Sequence, residues 1–99
     1  MENCLFCSIA AKKIPAEIIY EDAATVAFLD IHPRVPGHTM VVPRTHAETI
    51  LDAESGMMGP LFQAVKTVTS ILQKALNPQG FTIGINHGEY AGQAVKHLH

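Results

Sequence analysis

Runs of β-branched and aromatic residues alternate with proline- and glycine-bearing breaks through the first half of this chain, and one helical stripe follows. Residues 7–13 (CSIAAKK) read as a short helix stopped by Pro15. Residues 17–21 (EIIYE) and 25–31 (TVAFLDI) are β-rich runs separated by Asp22-Ala23-Ala24, which predicts a hairpin. Pro33 and Pro36 lack backbone donors, so residues 33–37 form a loop leading into a third strand at 38–42 (HTMVV), ended by Pro43. Within residues 53–76, Leu61, Ala64, Val65, Val68, Ile71, Leu72 and Ala75 recur at i, i+3, i+4 and i+7, the spacing of one amphipathic helix. Asn77-Pro78-Gln79-Gly80 ends it. Residues 81–86 (FTIGIN) then alternate as a fourth strand, residues 87–92 turn on glycine, and residues 94–99 begin a fifth strand that the end of the sequence cuts short. The predicted fold is α+β, an antiparallel five-stranded meander sheet packed on one principal helix, with its C-terminal part truncated. Residues 1–99 make one domain, with no repeat or linker.

Composition narrows the class. A chain of 99 residues has a thin core, and 47% hydrophobic with 16% charged residues describes an ordinary globular protein. The N-terminus lacks a basic start followed by an apolar stretch, and no run is long enough to span a bilayer, so the expected location is cytoplasmic. A formal charge of −2 gives no general attraction to nucleic acid or membrane, and any anionic ligand must be held by a local site. Six histidines are the outlier.

The chemistry-bearing residues sit at the two ends. Cys4 and Cys7 form a C-x-x-C pair, a spacing that suits a metal knuckle or a redox pair, against the plainer reading of two small apolar side chains. At the other end, His97-Leu98-His99 would place two imidazoles on one face of an extended segment, fit for nucleophilic or acid/base chemistry on a phosphate or for metal ligation. Gly92-Gln93 just before them can deliver amide donors to an anion.

These segments together resemble the histidine triad (HIT) family of nucleotidyl hydrolases and transferases, whose motif alternates three histidines with apolar residues. His97-Leu98-His99 matches its first half. Cys4-Leu5-Phe6-Cys7, Ala27-Phe28-Leu29-Asp30-Ile31, the stretch from Gly37 to His46, and Asn86 followed by Gly92-Gln93 match in the same order, and the whole looks most like the bacterial, zinc-containing nucleoside phosphoramidase branch. The resemblance implies that His99 is the nucleophile that takes up a nucleoside monophosphate, with His97 beside it in the catalytic motif. It implies that Asn86, Gly92 and Gln93 line the phosphate pocket, that Asp30 accepts the ribose hydroxyls, and that Phe28 and Ile31 wall the base. His38 would stand behind the catalytic histidines and hold their tautomer. Cys4, Cys7, His46 and His97 would bind a structural zinc ion, closed by four protein ligands. A purine nucleotide substrate and a homodimer built from the helix after Ala53 and the fourth strand are also implied. The motif's third histidine is absent from the sequence, and Lys96 stands where the family has an apolar or aromatic residue. A nucleotide-binding or interaction protein of the same fold with impaired turnover is therefore the alternative. His32 and His87 read as surface residues.

Overall fold

A computed structural model describes residues 3–99. Its elements run α1 (Leu5–Ala10), β1 (Ile18–Glu21), β2 (Thr25–Leu29), β3 (Thr39–Pro43) and α2 (Met58–Leu76), with 3₁₀ turns at Ser55–Met57 and Glu89–Ala91. The three strands form an antiparallel meander in the order β1-β2-β3. The α+β class, the meander and the single main helix are as expected from the sequence.

Strand β2 is central and buried on both faces, and the register explains how. Val26 lies opposite Val42 and Phe28 opposite Met40, so these four side chains share one face. That face packs against Cys4, Phe6, Ile9 and Ala10 from the α1 region. Ala27 lies opposite Val41 on the other face, toward α2, whose buried stripe is Leu61, Ala64 and Val68. The molecule is thus layered as short helix, sheet and long helix.

Element ends follow local chemistry. Helix α1 starts two residues earlier than expected, because the Cys4 sulfur accepts the Cys7 N–H at 3.4 Å and caps it. It stops at Ala10, and Lys12 then adopts a left-handed φ of 61°. Helix α2 begins at Met58 rather than near Ala53, with Pro60 in its first turn, where no backbone N–H is needed. Asn77 at φ 47° caps its end, donating its N–H to the Gln73 carbonyl.

The five-stranded extent is corrected to three strands among the described residues. Residues 81–86 run without regular structure, and Phe81 and Ile83 are exposed. Alternation alone does not make a strand: the backbone needs a partner, and this segment has none among the described residues. Residues 94–99 approach the rest of the fold through one backbone bond, Leu98 N–H to the Ala47 carbonyl at 2.7 Å, while His97 N–H turns back to Val95, so no ladder forms.

Arg44 ties the layers together. Its guanidinium donates to the Asp22 carbonyl (2.9 Å), the Ala10 carbonyl (3.1 Å) and the Glu21 carboxylate (2.8 Å), joining β3, the hairpin and the end of α1. This partner holds the Glu21 carboxyl below its usual range, with Lys12 adding to the effect. Arg44→Ala leaves two carbonyls without donors and is expected to lower stability by about 1–3 kcal/mol, read by urea denaturation, with Arg44→Lys recovering only part. No loss in the alanine variant would show that water replaces all three bonds.

Candidate metal centre and active site

Four side chains from distant parts of the chain converge. Cys4 caps α1, Cys7 lies in its first turn, His46 follows β3, and His97 comes from the C-terminal segment. Their ligand atoms all lie within 4.8 Å of one another. Nδ1 of His97 is 3.2 Å from the Cys4 sulfur, 3.5 Å from the Cys7 sulfur and 3.2 Å from Nδ1 of His46, and the Cys7 sulfur is 3.3 Å from that same His46 nitrogen.

Hydrogen bonding does not account for this set. His97 is fully buried, and its Nε2 lies 2.9 Å from the Pro43 carbonyl. A carbonyl only accepts, so Nε2 carries the proton and Nδ1 presents a lone pair to three neighbours. One lone pair cannot take three donors well. A tetrahedral zinc ion with about 2.3 Å to sulfur and about 2.0–2.1 Å to nitrogen has N···N edges of about 3.3 Å and N···S edges of about 3.5 Å. Four of the six separations match those edges and the others lie within 4.8 Å, so the residues fit a closed Cys₂His₂ zinc site. The Pro43 carbonyl, which sequence reading missed, orients His97 as an outer partner does. No residue pattern marks a backbone acceptor of this kind.

The electrostatics agree. Burial, and then the neighbouring Cys4 sulfur, push the Cys7 thiol above its ordinary range, so a thiolate here needs a cation beside it. Burial pulls the His97 imidazolium below the ordinary histidine range, partly opposed by the Pro43 carbonyl. The sign follows directly. Below about pH 6.5 the unfolded chain takes up a proton at His97 that the folded chain refuses, so the stability present above that pH is lost as pH falls through the window. The melting temperature is expected to decline from pH 7.5 to 5.5, and a flat profile would contradict a buried neutral His97.

His99 lies beside this centre. Its Nδ1 is 2.7 Å from the His97 carbonyl, so Nδ1–H donates and Nε2 is left with the lone pair. The rings of His97 and His99 both meet Phe6, at centroid distances of 6.0 and 5.1 Å. The two imidazoles therefore share one side of the segment although no strand forms. From the sequence Phe6 is part of the family-like start Cys4-Leu5-Phe6-Cys7, with no site role assigned to it.

The other expected site residues divide. Asp30 follows β2 with one oxygen accepting the His32 N–H at 2.9 Å and the other 3.5 Å from Nδ1 of His38. His38 thus stands with Asp30 and Arg34, whose N–H reaches its Nδ1 at 3.3 Å. The tautomers of His97 and His99 are set by the carbonyls of Pro43 and His97. Phe28 is a core ring, 4% exposed and edge-on to Phe6 at 5.2 Å, rather than an open wall. Ile31 beside Asp30 is 82% exposed.

Gln93 is a brace and not a free donor. Its Oε1 accepts the Gly88 N–H at 2.8 Å, and its Nε2 donates to the carbonyls of Glu48 (2.6 Å) and Val95 (3.1 Å), so its amide is used up holding the loop. The N–H groups of Gly92 and Gln93 are likewise engaged, by Glu89 and Gly88. Asn86 keeps its amide free of hydrogen bonds among the described residues. That amide lies 3.5 Å from where a Cβ on Gly92 would sit, an ordinary contact, and it is the φ of 93° at Gly92 that calls for glycine.

Comparison with known proteins agrees with this geometry. The family model of the HIT domain matches residues 11–99. The crystal structure of SMU.412c from Streptococcus mutans superposes with a TM-score of 0.95 at 40% identity over 99% of this chain, and the chain spans 62% of that protein. A zinc-bound histidine triad family protein from Mycobacterium smegmatis gives a TM-score of 0.92 at 33% identity over 98% of this chain and 70% of its own. The adenosine 5′-monophosphoramidase of Schizosaccharomyces pombe is 35% identical over 97 residues, 98% of this chain and 70% of that protein. With the family model matched over nine-tenths of its length, the chain belongs to the HIT family.

Proposed function

We propose that this chain is a nucleotidyl hydrolase of purine nucleoside phosphoramidates, with His99 as nucleophile. The observation that carries the reading is the 2.7 Å contact between His99 Nδ1 and the His97 carbonyl, which leaves Nε2 unprotonated on a half-buried ring. Nε2 forms a bond to the α-phosphorus as the P–N bond to the amine breaks, and the amine leaves with a proton from water. The hydroxide left by that water then attacks phosphorus, the P–Nε2 bond breaks with its electron pair returning to Nε2, and the nucleoside monophosphate departs. In this reading the free amide of Asn86 donates to phosphoryl oxygen. Asp30 keeps carboxylate lone pairs for the ribose hydroxyls beside its bond to His32. Zinc held by Cys4, Cys7, His46 and His97 supplies structure, since four protein ligands leave no position for substrate. The S. pombe relative, an adenosine 5′-monophosphoramidase, supports the substrate class.

The test is incubation with adenosine 5′-phosphoramidate and chromatographic measurement of AMP, with His99→Ala in parallel. AMP release that vanishes in the variant supports the reading. Stabilisation by AMP with no release would make the chain a binder of the same fold.

The reading includes a homodimer. Phe62, Leu76, Phe81 and Ile83 are exposed apolar side chains on α2 and the extended segment after it, and that segment's backbone lacks a partner among the described residues. Light scattering after gel filtration is expected to give twice the chain mass, and Phe62→Glu is expected to halve it. A monomeric parent protein would sink this part.

A further inference from the structure

Phe6 occupies an unusual position. It sits in the single helical turn between two metal ligands, capped by the Cys4 sulfur, and is 4% exposed. One side meets the core through Phe28, edge-on at 5.2 Å and 69°. The other meets His97 at 6.0 Å and His99 at 5.1 Å, the latter nearly perpendicular at 89°.

His99 needs such a neighbour. Its one hydrogen bond among the described residues, to the His97 carbonyl, fixes a nitrogen but leaves the ring free to swing about that contact. A flat, buried ring at right angles on its flank blocks that swing and fixes where Nε2 points. Phe6 in turn cannot shift without moving Cys4 and Cys7, which the metal would hold against His46 and His97.

We propose that Phe6 is a positioning residue for His99, and that the metal centre governs the nucleophile's orientation through it. This rests on the reading of His99 as nucleophile and goes beyond it by giving the metal knuckle a role in turnover as well as folding. The coupling needs no metal contact with substrate. It needs the knuckle to carry an aromatic ring, which the spacing Cys4-Leu5-Phe6-Cys7 supplies.

The experiment compares zinc-loaded wild type with Phe6→Leu, which fills much of the volume but removes the flat face. Histidine side-chain ¹⁵N spectra read the tautomer of His99 without any turnover. Wild type is expected to show one protonated and one bare nitrogen, and Phe6→Leu to show the two signals moving toward each other. In the phosphoramidate assay, kcat is expected to fall on the order of 10- to 100-fold with KM little changed, as misplacement of a reacting group does. Zinc withdrawal from wild type is expected to produce the same spectral change. If Phe6→Leu does not fold, Phe6→Met, which fills gaps flexibly, gives the same two readouts. A folded, zinc-loaded variant with unchanged His99 signals, or with unchanged kcat, overturns the proposal. A single His99 tautomer surviving zinc withdrawal overturns its metal half. Failure of the nucleophile reading is distinct, because it appears as AMP release persisting in His99→Ala, whatever Phe6 does.

Discussion

Chelating the metal is expected to lower the melting temperature of this protein by about 15–30 °C, with full recovery when zinc is returned. A ligand present at a thousandfold excess over its dissociation constant stabilises the folded state by about 4 kcal/mol. In a domain of this size each kcal/mol moves the midpoint by about 4–8 °C. The site justifies a tight constant because His97 is already oriented by the Pro43 carbonyl and Cys4 is already placed as a helix cap. Withdrawal also exposes a conflict. His97 is fully buried with its Nδ1 lone pair facing two sulfurs and a second imidazole, and one lone pair cannot satisfy them. Elemental analysis of the purified protein is expected to give one zinc per chain, and His97→Ala to lose both the metal and the stabilisation. A midpoint that shifts by less than about 2 °C on chelation would mean that the cluster holds no structural metal.

His99→Ala is expected to reduce AMP release by at least on the order of 10³-fold while leaving the melting temperature nearly unchanged. On the proposed reading covalent catalysis disappears with its nucleophile, and His97 does not substitute for it, because its lone pair points at the Cys4, Cys7 and His46 cluster and its proton at Pro43. The contrast with His97→Ala is the informative part, since that change should cost stability first and activity as a consequence. Lys96→Ala, an exposed neighbour, is expected to change neither. Rapid quenching followed by mass measurement should detect a nucleotidyl adduct on the wild-type chain and none on His99→Ala. An adduct on another residue would move the nucleophile.

The elements that rest on local pattern were legible in the sequence. The stripe Leu61, Ala64 and Val68 is the buried face of α2, and the β-rich runs between Pro15 and Pro43 are the three strands, because side-chain periodicity and proline's missing donor act within a few residues. The same alternation at residues 81–86 did not give a strand, since its pairing depends on a partner that local sequence does not contain.

The site divides along the same line. Side-chain type and resemblance pointed to Gln93 as a phosphate-facing donor, yet the fold turns its amide inward onto Glu48 and Val95. His38, which the resemblance places behind the motif imidazoles, has its Nδ1 beside the Arg34 N–H and 3.5 Å from Asp30. Neither outcome is written in residue type, because a side chain's partners are chosen by which backbone groups the folded chain leaves unsatisfied.

The sequence by itself determined the Cys4–Cys7 spacing, the three strands, the long helix and the chemical kinds of the candidate ligands and nucleophile. Only the tertiary structure decided that His46 and His97, 39 and 90 residues from Cys7, bring their Nδ1 atoms within 3.5 Å of its sulfur, and that the ring of Phe6 meets that of His99. The reason is physical. Periodicity and capping act over one or two turns of chain, whereas a ligand set and a nucleophile's tautomer depend on angstrom-scale approach between segments brought together by burial of the core.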